Sequence, residues 1–303
     1  MSRSPASPIW LVAGPTASGK STAALALARG TGGEIVNADS MQLYADLGVL
    51  TARPSATDVA ALPHHLFGIA DAGEAWSVGS WLAAALEVLA AIAARGAPAI
   101  VVGGTGLYFR ALTVGLAEIP PIPASVRAAA QGDYDRQGEA AFRARLAEVD
   151  PDAEARIAPA DRQRLTRAME VFEATGRPLS HWQAATRPAL PADAWSGVVL
   201  AVPRADLHAR IDARLEAMVA GGALAEVAAL VERRLDPALP AMKALGVASF
   251  ARHLAGEITL AEALAHAQAE TRRYAKRQIT WFGRQAADWP RLEADAVTRA
   301  FTA

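Results

Sequence analysis

In the first third of the chain, short apolar runs alternate with longer segments of helical composition. Three short, mostly apolar runs have the length of strands buried on both faces: Ile9–Ala13, Glu34–Ala38 and Ala99–Val102. Longer segments between them have helical composition, in Thr22–Ala28 and in an Ala-rich stretch from Ser77 to Arg95. Ser77 is suited to cap this second helix and Gly96 to end it. Because strands that alternate with helices form parallel sheets, the pattern predicts an α/β fold with helices flanking the sheet.

The pattern changes at about residue 116. Pro120–Pro123 forms a stiff boundary, and the chain up to about Arg187 is charged and helical without a clear strand. Helices are expected at Glu139–Val149 and at Asp161–Thr175. We therefore interpret residues 116–197 as a helical insertion domain.

The sheet resumes after this insertion. Val198–Val202 is an apolar run of the same kind as the earlier strands, and the remaining pattern from Asp206 to Gln285 is helical. Earlier in the chain, Leu66–Ile69 is expected to add a short strand. The predicted core domain thus joins residues 1–115 to residues 198–303.

The first predicted strand leads into a glycine-rich loop that fits the pattern G-x-x-x-x-G-K-[ST] at every fixed position. The loop consists of Gly14, Pro15, Thr16, Ala17, Ser18, Gly19, Lys20 and Ser21. Glycines let the backbone curl so that successive N–H groups point at phosphate oxygens, and the following helix adds its positive dipole end. Lys20 is placed to neutralise terminal phosphates, and the Ser21 hydroxyl is suited to ligate Mg²⁺. The loop predicts a phosphate-loop NTPase-like parallel sheet whose ligand carries a phosphate or diphosphate.

Two further polar side chains follow predicted strands. Asp39 comes directly after the strand Glu34–Ala38, and Thr105 follows the strand Ala99–Val102. Because parallel strands end at one edge of a sheet, where ligands bind, both should lie beside the glycine-rich loop. Asp39 is then either a general base facing the bound phosphate or a turn cap or outer-sphere magnesium ligand. Thr105 is suited to cap the next helix, to face the ligand, or to do both.

Composition and charge narrow the class of protein. A chain of 303 residues that is 52% hydrophobic can bury a sizeable core, and its net charge of −1 gives no overall basic footprint. Cysteine is absent, which excludes disulfides and cysteine zinc sites and is consistent with the cytoplasm. We expect neither a signal peptide nor a membrane span, because no apolar run is long enough. The adjacent His64 and His65 lack metal-ligand spacing and favour a structural role.

Any nucleic-acid contact must therefore come from local patches. Two basic strips lie on predicted helices: Arg162, Arg164 and Arg167 on one, and Arg272, Arg273, Lys276 and Arg277 on the other. Amides and aromatic residues nearby, including Gln163, Gln278 and Trp281, suit an RNA backbone and unstacked bases. The alternative is a solvated, arginine-rich surface.

Six segments spread over nearly the whole chain carry a resemblance to a known family. They are Gly14–Ser21, Asp39–Tyr44, Pro63–Leu66, Gly103–Tyr108, Asp161–Val171 and Tyr274–Phe282. In this order they resemble the bacterial tRNA dimethylallyltransferases, also called tRNA isopentenyl-pyrophosphate transferases. The chain departs from the family at Ala160, where asparagine is common, and at Val247–Ser249, where the family has Tyr-Lys-Glu.

The resemblance implies a reaction. A dimethylallyl group would move from dimethylallyl diphosphate to N6 of the adenosine on the 3′ side of a tRNA anticodon, and diphosphate would be released. Lys20, Ser21 and Mg²⁺ would stabilise the developing charge. Asp39 would act as the base, and Thr105 would bond to the diphosphate near the breaking C–O bond. Arg127, at the start of the insertion, would reach the diphosphate or the bound tRNA.

The resemblance also implies how tRNA is held. The target base would be flipped into a channel lined by Ser40, Met41 and Gln42, with Gln42 reading an adenine edge through two hydrogen bonds. The helical insertion would grip the anticodon stem. Further tRNA contacts are implied for Asp39, Thr105, Arg127, Gln163, Arg164, Leu165, Thr166, Arg167, Lys276 and Arg277. The partners are then tRNA and dimethylallyl diphosphate, and the enzyme is expected to be a cytoplasmic monomer.

Other functions remain compatible with the glycine-rich loop. A phosphate-loop kinase acting on a small molecule or nucleotide would use ATP, and it fits the first third of the chain equally well. A non-catalytic nucleotide switch or RNA-binding module would bind without turnover. A relative that prenylates free adenine nucleotides would not need the basic strips. The segment Asp39–Gln42 and the basic C-terminal helix favour the tRNA enzyme over these alternatives.

Overall fold

The computed structural model describes residues 8–302, which form two compact units. One comprises the residues up to Thr113 together with those from Leu190 onward, and the other comprises Val114–Ala189. The second unit ends before residue 197, where we had placed the end of the insertion. The reason is that the Leu190 N–H donates to the Leu112 carbonyl at 2.9 Å, which ties residue 190 to the first unit.

The first unit is built on a six-stranded sheet in which all pairs are parallel. Its strands are β1 (Ile9–Ala13), β2 (Glu34–Asn37), β3 (His64–His65), β4 (Ala99–Gly103), β5 (Trp195–Leu200) and β6 (Arg291–Leu292). They lie in the order β3-β2-β4-β1-β5-β6. The α/β prediction is confirmed, and β1 and β4 lie side by side in the middle of the sheet, so the loops that follow them are neighbours.

Two strand predictions need correction, and one further strand was not predicted. The strand expected at Leu66–Ile69 lies instead at His64–His65, which pairs with Ile35 and Val36 of β2. Leu66 has a left-handed backbone with φ of +64°, which ends the strand. β5 begins at Trp195 rather than at residue 198, and β6 had no strand signal in the sequence.

Helices account for most of the remaining chain. They are α1 (Lys20–Thr31), α2 (Ala56–Ala61), α3 (Val78–Ala94), α4 (Gly106–Thr113), α5 (Ala124–Val149), α6 (Pro151–Arg156), α7 (Arg162–Thr175), α8 (Leu179–Ala184), α9 (Arg204–Ala220), α10 (Ala223–Glu232), α11 (Val247–Leu254), α12 (Leu260–Gln285) and α13 (Val297–Thr302). Ser77 caps α3 as predicted, since its side chain accepts the Ser80 N–H. Among residues 8–302, no helix is both long and apolar enough to cross a membrane.

The core of the first unit follows from the alternation of side chains along the strands. Leu11 of β1 packs in the cluster that contains Trp81 of α3 and Phe282 of α12. Its neighbours Trp10 and Val12 point to the other face and pack in the cluster that contains Leu27 of α1. Both faces of the sheet are thus covered by apolar helix surfaces, and the free carboxyl edge of the strands carries the polar loops.

The second unit contains α5, α6, α7 and α8 around a small core of its own. Phe142 and Leu146 of α5 pack against Leu165 and Met169 of α7. α5 begins at Ala124, well before the predicted start at Glu139, and Gly138 interrupts its helical geometry with φ of +77°.

Candidate active site

The glycine-rich loop joins β1 to α1 and has the conformation of an anion cradle. The Ser18 N–H donates to the Pro15 carbonyl at 3.3 Å, and Lys20 Nζ donates to the same carbonyl at 2.6 Å. Five N–H groups of the loop have no hydrogen-bond acceptor among the described residues: those of Gly14, Ala17, Gly19, Lys20 and Ser21. Unpaired donors at a helix N-terminus are suited to phosphate oxygens, so the predicted ligand site is structurally preorganised.

A cavity of about 160 Å³ opens beside this loop. The polar residues that line it include Thr16, Lys20, Ser21, Asp39, Gln42 and Arg214. Burial lowers the pKa of the Lys20 ammonium to about 8, and the nearby Asp39 carboxylate opposes this change. Burial also lowers the pKa of the Arg214 guanidinium. Two desolvated cations, Lys20 and Arg214, therefore share one small space with Arg53 and with the carboxylates of Asp39 and Asp58. The excess of cations favours an anionic ligand with a polar reaction partner.

Asp39 is held at the end of β2 by the fully buried Asn37. Asn37 Oδ1 accepts the Asp39 N–H at 2.8 Å, and Asn37 Nδ2 donates to the Asp39 carbonyl at 2.9 Å. One carboxylate oxygen, Oδ1, accepts the Met41 N–H at 3.0 Å and so caps the following turn. The other oxygen, Oδ2, has no hydrogen bond to a described residue. The cap role is therefore observed, and one oxygen remains available for a base.

Thr105 lies against the same loop. Its hydroxyl accepts the Ser40 N–H at 2.9 Å, and its own N–H donates to the Ala38 carbonyl at 3.1 Å. Gly103 allows this approach, because a Cβ there would overlap the Ala38 carbonyl. The ends of β2 and β4 are thus joined directly, and Thr105 is brought beside Asp39 as the sequence predicted.

The structure constrains the residues expected to line a base channel. Ser40, Met41 and Gln42 are all half-buried after β2. However, Gln42 Nε2 donates to the carbonyls of Thr51 and Ala52, at 2.8 and 3.2 Å. Reading an adenine edge by two bonds needs both a donor and an acceptor, so in this conformation Gln42 offers only its acceptor.

Arg214 is a site residue that sequence reasoning missed. It comes from α9, and its two terminal nitrogens lie 3.4 Å from Thr16 Oγ1 and 3.3 Å from the Thr51 carbonyl. The half-buried guanidinium thereby joins the glycine-rich loop to the segment after β2. No local motif surrounds Arg214, so only its position in the fold could reveal it.

The residues that line the cavity belong entirely to the first unit, and the predicted site residues of the second unit are not among them. Arg127 is exposed in the first turn of α5 and donates to the Ile122 carbonyl at 3.0 Å. On α7, Gln163 and Arg164 are exposed. Leu165 is fully buried and Thr166 is 5% exposed, with its hydroxyl bound to its own helix. The prediction of tRNA contact is therefore corrected for the Leu165 and Thr166 side chains.

The exposure and ion pairing of the two basic strips differ from what the sequence predicts. On α7, Arg162, Arg164 and Arg167 each pair with a carboxylate, at Asp135, Asp161 and Glu170. On α12, Arg272 is half-buried and bound to Asp212, so it is not part of an exposed strip. Arg273, Lys276 and Arg277 are exposed, and Arg277 stacks over the Tyr274 ring. The exposed pairs of Arg162 and Arg164 are worth at most about 1 kcal/mol, so these two arginines can exchange a carboxylate for a phosphate. Glu170, the partner of Arg167, is buried.

Comparison with known proteins identifies relatives of this chain. The family model for IPP transferases matches residues 42–285, and the model for isopentenyl transferases matches residues 7–65. The tRNA dimethylallyltransferase of Phenylobacterium zucineum (strain HLK1) is 66% identical over 287 residues, covering 95% of this chain and 93% of that protein. The tRNA dimethylallyltransferase of Caulobacter sp. (strain K31) is 60% identical over 289 residues, covering 95% and 94%.

Two solved structures extend the comparison. The full-length tRNA isopentenylpyrophosphate transferase of Bacillus halodurans is 30% identical with a TM-score of 0.67, covering 97% of this chain and 94% of that one. A eukaryotic dimethylallyltransferase crystallised while acting on tRNA is 25% identical with a TM-score of 0.82, covering 98% and 76%. Identity at these levels over nearly the full length of the chain confirms the resemblance carried by its motifs. The chain belongs to the tRNA dimethylallyltransferase family.

Proposed function

We propose that the protein transfers a dimethylallyl group from dimethylallyl diphosphate to N6 of the adenosine on the 3′ side of a tRNA anticodon. The observation that carries this proposal is the cavity beside the glycine-rich loop, which places Lys20, Arg214 and Asp39 around one small space. Membership of the tRNA dimethylallyltransferase family disfavours the kinase alternative.

The protein residues perform the reaction by binding charge and accepting a proton. The free N–H groups of the glycine-rich loop hold the diphosphate, while Lys20 and Arg214 neutralise the charge that grows as its C–O bond breaks. The adenosine amine forms the new C–N bond at the carbon that the diphosphate leaves. The carboxylate of Asp39 accepts the amine proton on Oδ2, and Thr105 supports the leaving oxygen. Lys20 must first release the Pro15 carbonyl that it now contacts.

Magnesium fits this arrangement as a partner of the diphosphate. The Ser21 hydroxyl lines the cavity on an exposed residue, and the Asp39 carboxylate lines it too. Among the described residues there is no cluster of three or more His, Asp or Glu that would hold a metal alone. Mg²⁺ is commonly held by few protein oxygens together with substrate phosphates, so Ser21 is the ligand we propose and Asp39 an outer-sphere partner. When bound, the ion supplies further charge stabilisation of the leaving group.

The tRNA is held through basic and polar side chains outside the donor cavity. Lys276 and Arg277 of α12 are exposed, as are Gln163 and Arg164 of α7. Together with Arg127 and Arg167 they are the phosphate and base contacts that we propose. The enzyme acts as a cytoplasmic monomer.

The test is transfer of label from carbon-labelled dimethylallyl diphosphate to tRNA isolated from cells that lack this modification. Product nucleosides should contain N6-dimethylallyladenosine, and inorganic diphosphate should appear in equal amount. A parallel reaction with γ-labelled ATP should give no labelled acceptor. Label transfer from ATP, or binding of tRNA without turnover, would contradict the proposal. Label transfer to free adenine nucleotides at a rate equal to tRNA would contradict the choice of acceptor.

A further inference from the structure

A buried amide from the C-terminal helix joins the two loops of the active site. Gln278 lies on α12 and is 6% exposed. Its Oε1 accepts the Thr16 N–H of the glycine-rich loop at 2.8 Å. Its Nε2 donates to the Gly104 carbonyl, in the turn between β4 and Thr105, at 2.9 Å. One side chain thus ties the loop of the diphosphate to the turn that carries Thr105.

The chemistry of the two partners requires a side chain with one acceptor and one donor at this position, which a neutral amide supplies. The Thr16 N–H can only donate, and the Gly104 carbonyl can only accept, so the side chain between them must offer one acceptor and one donor. A carboxylate lacks the donor, and an apolar side chain lacks both. The contact is also close, because a Cβ on Gly104 would overlap Gln278 Nε2. The amide orientation and the glycine are therefore both determined by this bridge.

The bridge also determines which loop donors remain for the ligand. Gln278 takes the Thr16 N–H, whereas the N–H groups of Gly14, Ala17, Gly19, Lys20 and Ser21 have no acceptor among the described residues. The neighbours of Gln278 on α12, Lys276 and Arg277, are exposed on the surface where we propose tRNA contacts. The same helix therefore presents side chains to the RNA and, through Gln278, holds the two loops of the donor site together.

We infer that Gln278 is a positioning residue for dimethylallyl transfer, which holds the glycine-rich loop and the Thr105 turn at the separation that the reaction needs. This inference rests on the proposed function. Gln278 does not touch the substrates; it acts through Thr16 and Gly104. Its loss shifts the diphosphate relative to Thr105 and Asp39, and misplacement by about 1 Å costs about a hundredfold in rate.

The first experiment measures single-turnover transfer from dimethylallyl diphosphate to tRNA for Gln278→Met, which keeps the volume and loses both hydrogen bonds. The rate should fall by about a hundredfold, while tRNA affinity stays at the parental value because Lys276 and Arg277 are intact. The matched control is Thr271→Val, since Thr271 is also a buried polar residue of α12 but bonds only to the Ala267 carbonyl of its own helix. This control should keep the parental rate.

The second experiment distinguishes positioning from general stability and serves also if Gln278→Met does not fold. In Gln278→Glu the protonated carboxyl reproduces the acceptor and donor of the amide, whereas the carboxylate does not. Burial raises the pKa of such a group, so the rate of this variant relative to the parent should recover as the pH falls from 8 to about 5.5. The loss of rate in the double variant Gln278→Met, Thr105→Ala should be smaller than the product of the two single losses. The two residues would then be coupled, as expected if Gln278 acts through the Thr105 turn.

The outcomes separate the inference from the proposed function. If the parent protein transfers no dimethylallyl group, the proposed function fails. If the parent is active and Gln278→Met keeps its rate, the inference about Gln278 fails alone. A Gln278→Glu rate ratio that does not change with pH, or additive effects with Thr105→Ala, would also overturn it.

Discussion

The lowered pKa of Lys20 should make diphosphate binding depend on pH. Burial lowers this pKa from 10.5 to about 8, so Lys20 is charged at pH 7 and mostly neutral at pH 9. Only the ammonium form neutralises a diphosphate oxygen and donates hydrogen bonds to it. The charged fraction falls about tenfold between pH 7 and pH 9, and the affinity for diphosphate should fall by about the same factor.

The same pKa has an effect on stability with a defined sign. A lysine whose pKa is lowered in the folded protein disfavours folding as long as it is charged. This penalty is present below about pH 8 and is relieved as the pH rises to 10.5, because in that window the unfolded chain binds more protons. A tenfold change in proton affinity is about 1.4 kcal/mol, so full relief is worth about 3 kcal/mol. Lys20→Met should lack this part of the pH dependence.

The assay is titration calorimetry with inorganic diphosphate and Mg²⁺ between pH 7 and pH 9. Diphosphate and its magnesium complex also titrate in this range, so Lys20→Arg serves as the reference, since arginine stays charged throughout. The ratio of parental to Lys20→Arg affinity then reports Lys20 alone. Above pH 8, binding to the parent should also take up a proton, which appears as a dependence of the measured heat on the buffer.

A constant affinity ratio from pH 7 to pH 9, with no proton uptake, would refute the reasoning. Lys20 would then be either solvated in the free protein or distant from the diphosphate. Lys20→Met separates these cases: parental affinity in this variant would remove Lys20 from the donor site, and weak affinity at every pH would keep it there.

Three other predictions concern catalysis, donor binding and tRNA binding. Asp39→Asn should lower the single-turnover rate by about 10²–10⁴-fold with little change in tRNA affinity; equal small losses in both would show that Asp39 only caps its turn. Arg214→Lys should raise the Kd of dimethylallyl diphosphate and leave tRNA affinity unchanged, because a lysine lacks the planar guanidinium that contacts two loops at once. An unchanged Kd for dimethylallyl diphosphate would contradict a role of Arg214 in donor binding. Arg167→Ala should weaken tRNA binding and make the log–log salt slope shallower by about 0.7–0.9. Arg167→Ala with Glu170→Gln controls for the buried carboxylate left unpaired, and an unchanged slope would show that Arg167 is only a solvated residue.

Local sequence was sufficient for the features that depend on a few consecutive residues. The glycine-rich loop was identified because its conformation requires particular residue types at fixed spacing. Asp39 and Thr105 were placed beside it because right-handed crossovers bring the ends of parallel strands to one edge. The structure agrees, since the Ser40 N–H bonds to the Thr105 hydroxyl across that edge.

Local sequence was insufficient where a short element depends on a distant partner. β3 and β6 each have two residues, too few for a period-2 pattern. β3 is located by the contact of His65 with Glu34, and β6 by the pairing of Arg291 and Leu292 with β5. The helical pattern of α7 was recognised, but which of its residues are buried was decided by tertiary packing, which buries the side chains of Leu165 and Thr166.

The sequence by itself thus determined the ligand class and the edge of the sheet where chemistry takes place. Only the tertiary structure brought Arg214 to Thr16 across 198 residues and Gln278 to Thr16 across 262. It also decided that Arg272 pairs with Asp212 rather than facing RNA. The physical reason is that the conformation of a phosphate loop depends on its own consecutive residues. The cations and amides that complete the site are positioned by helix packing, which a local sequence pattern does not predict.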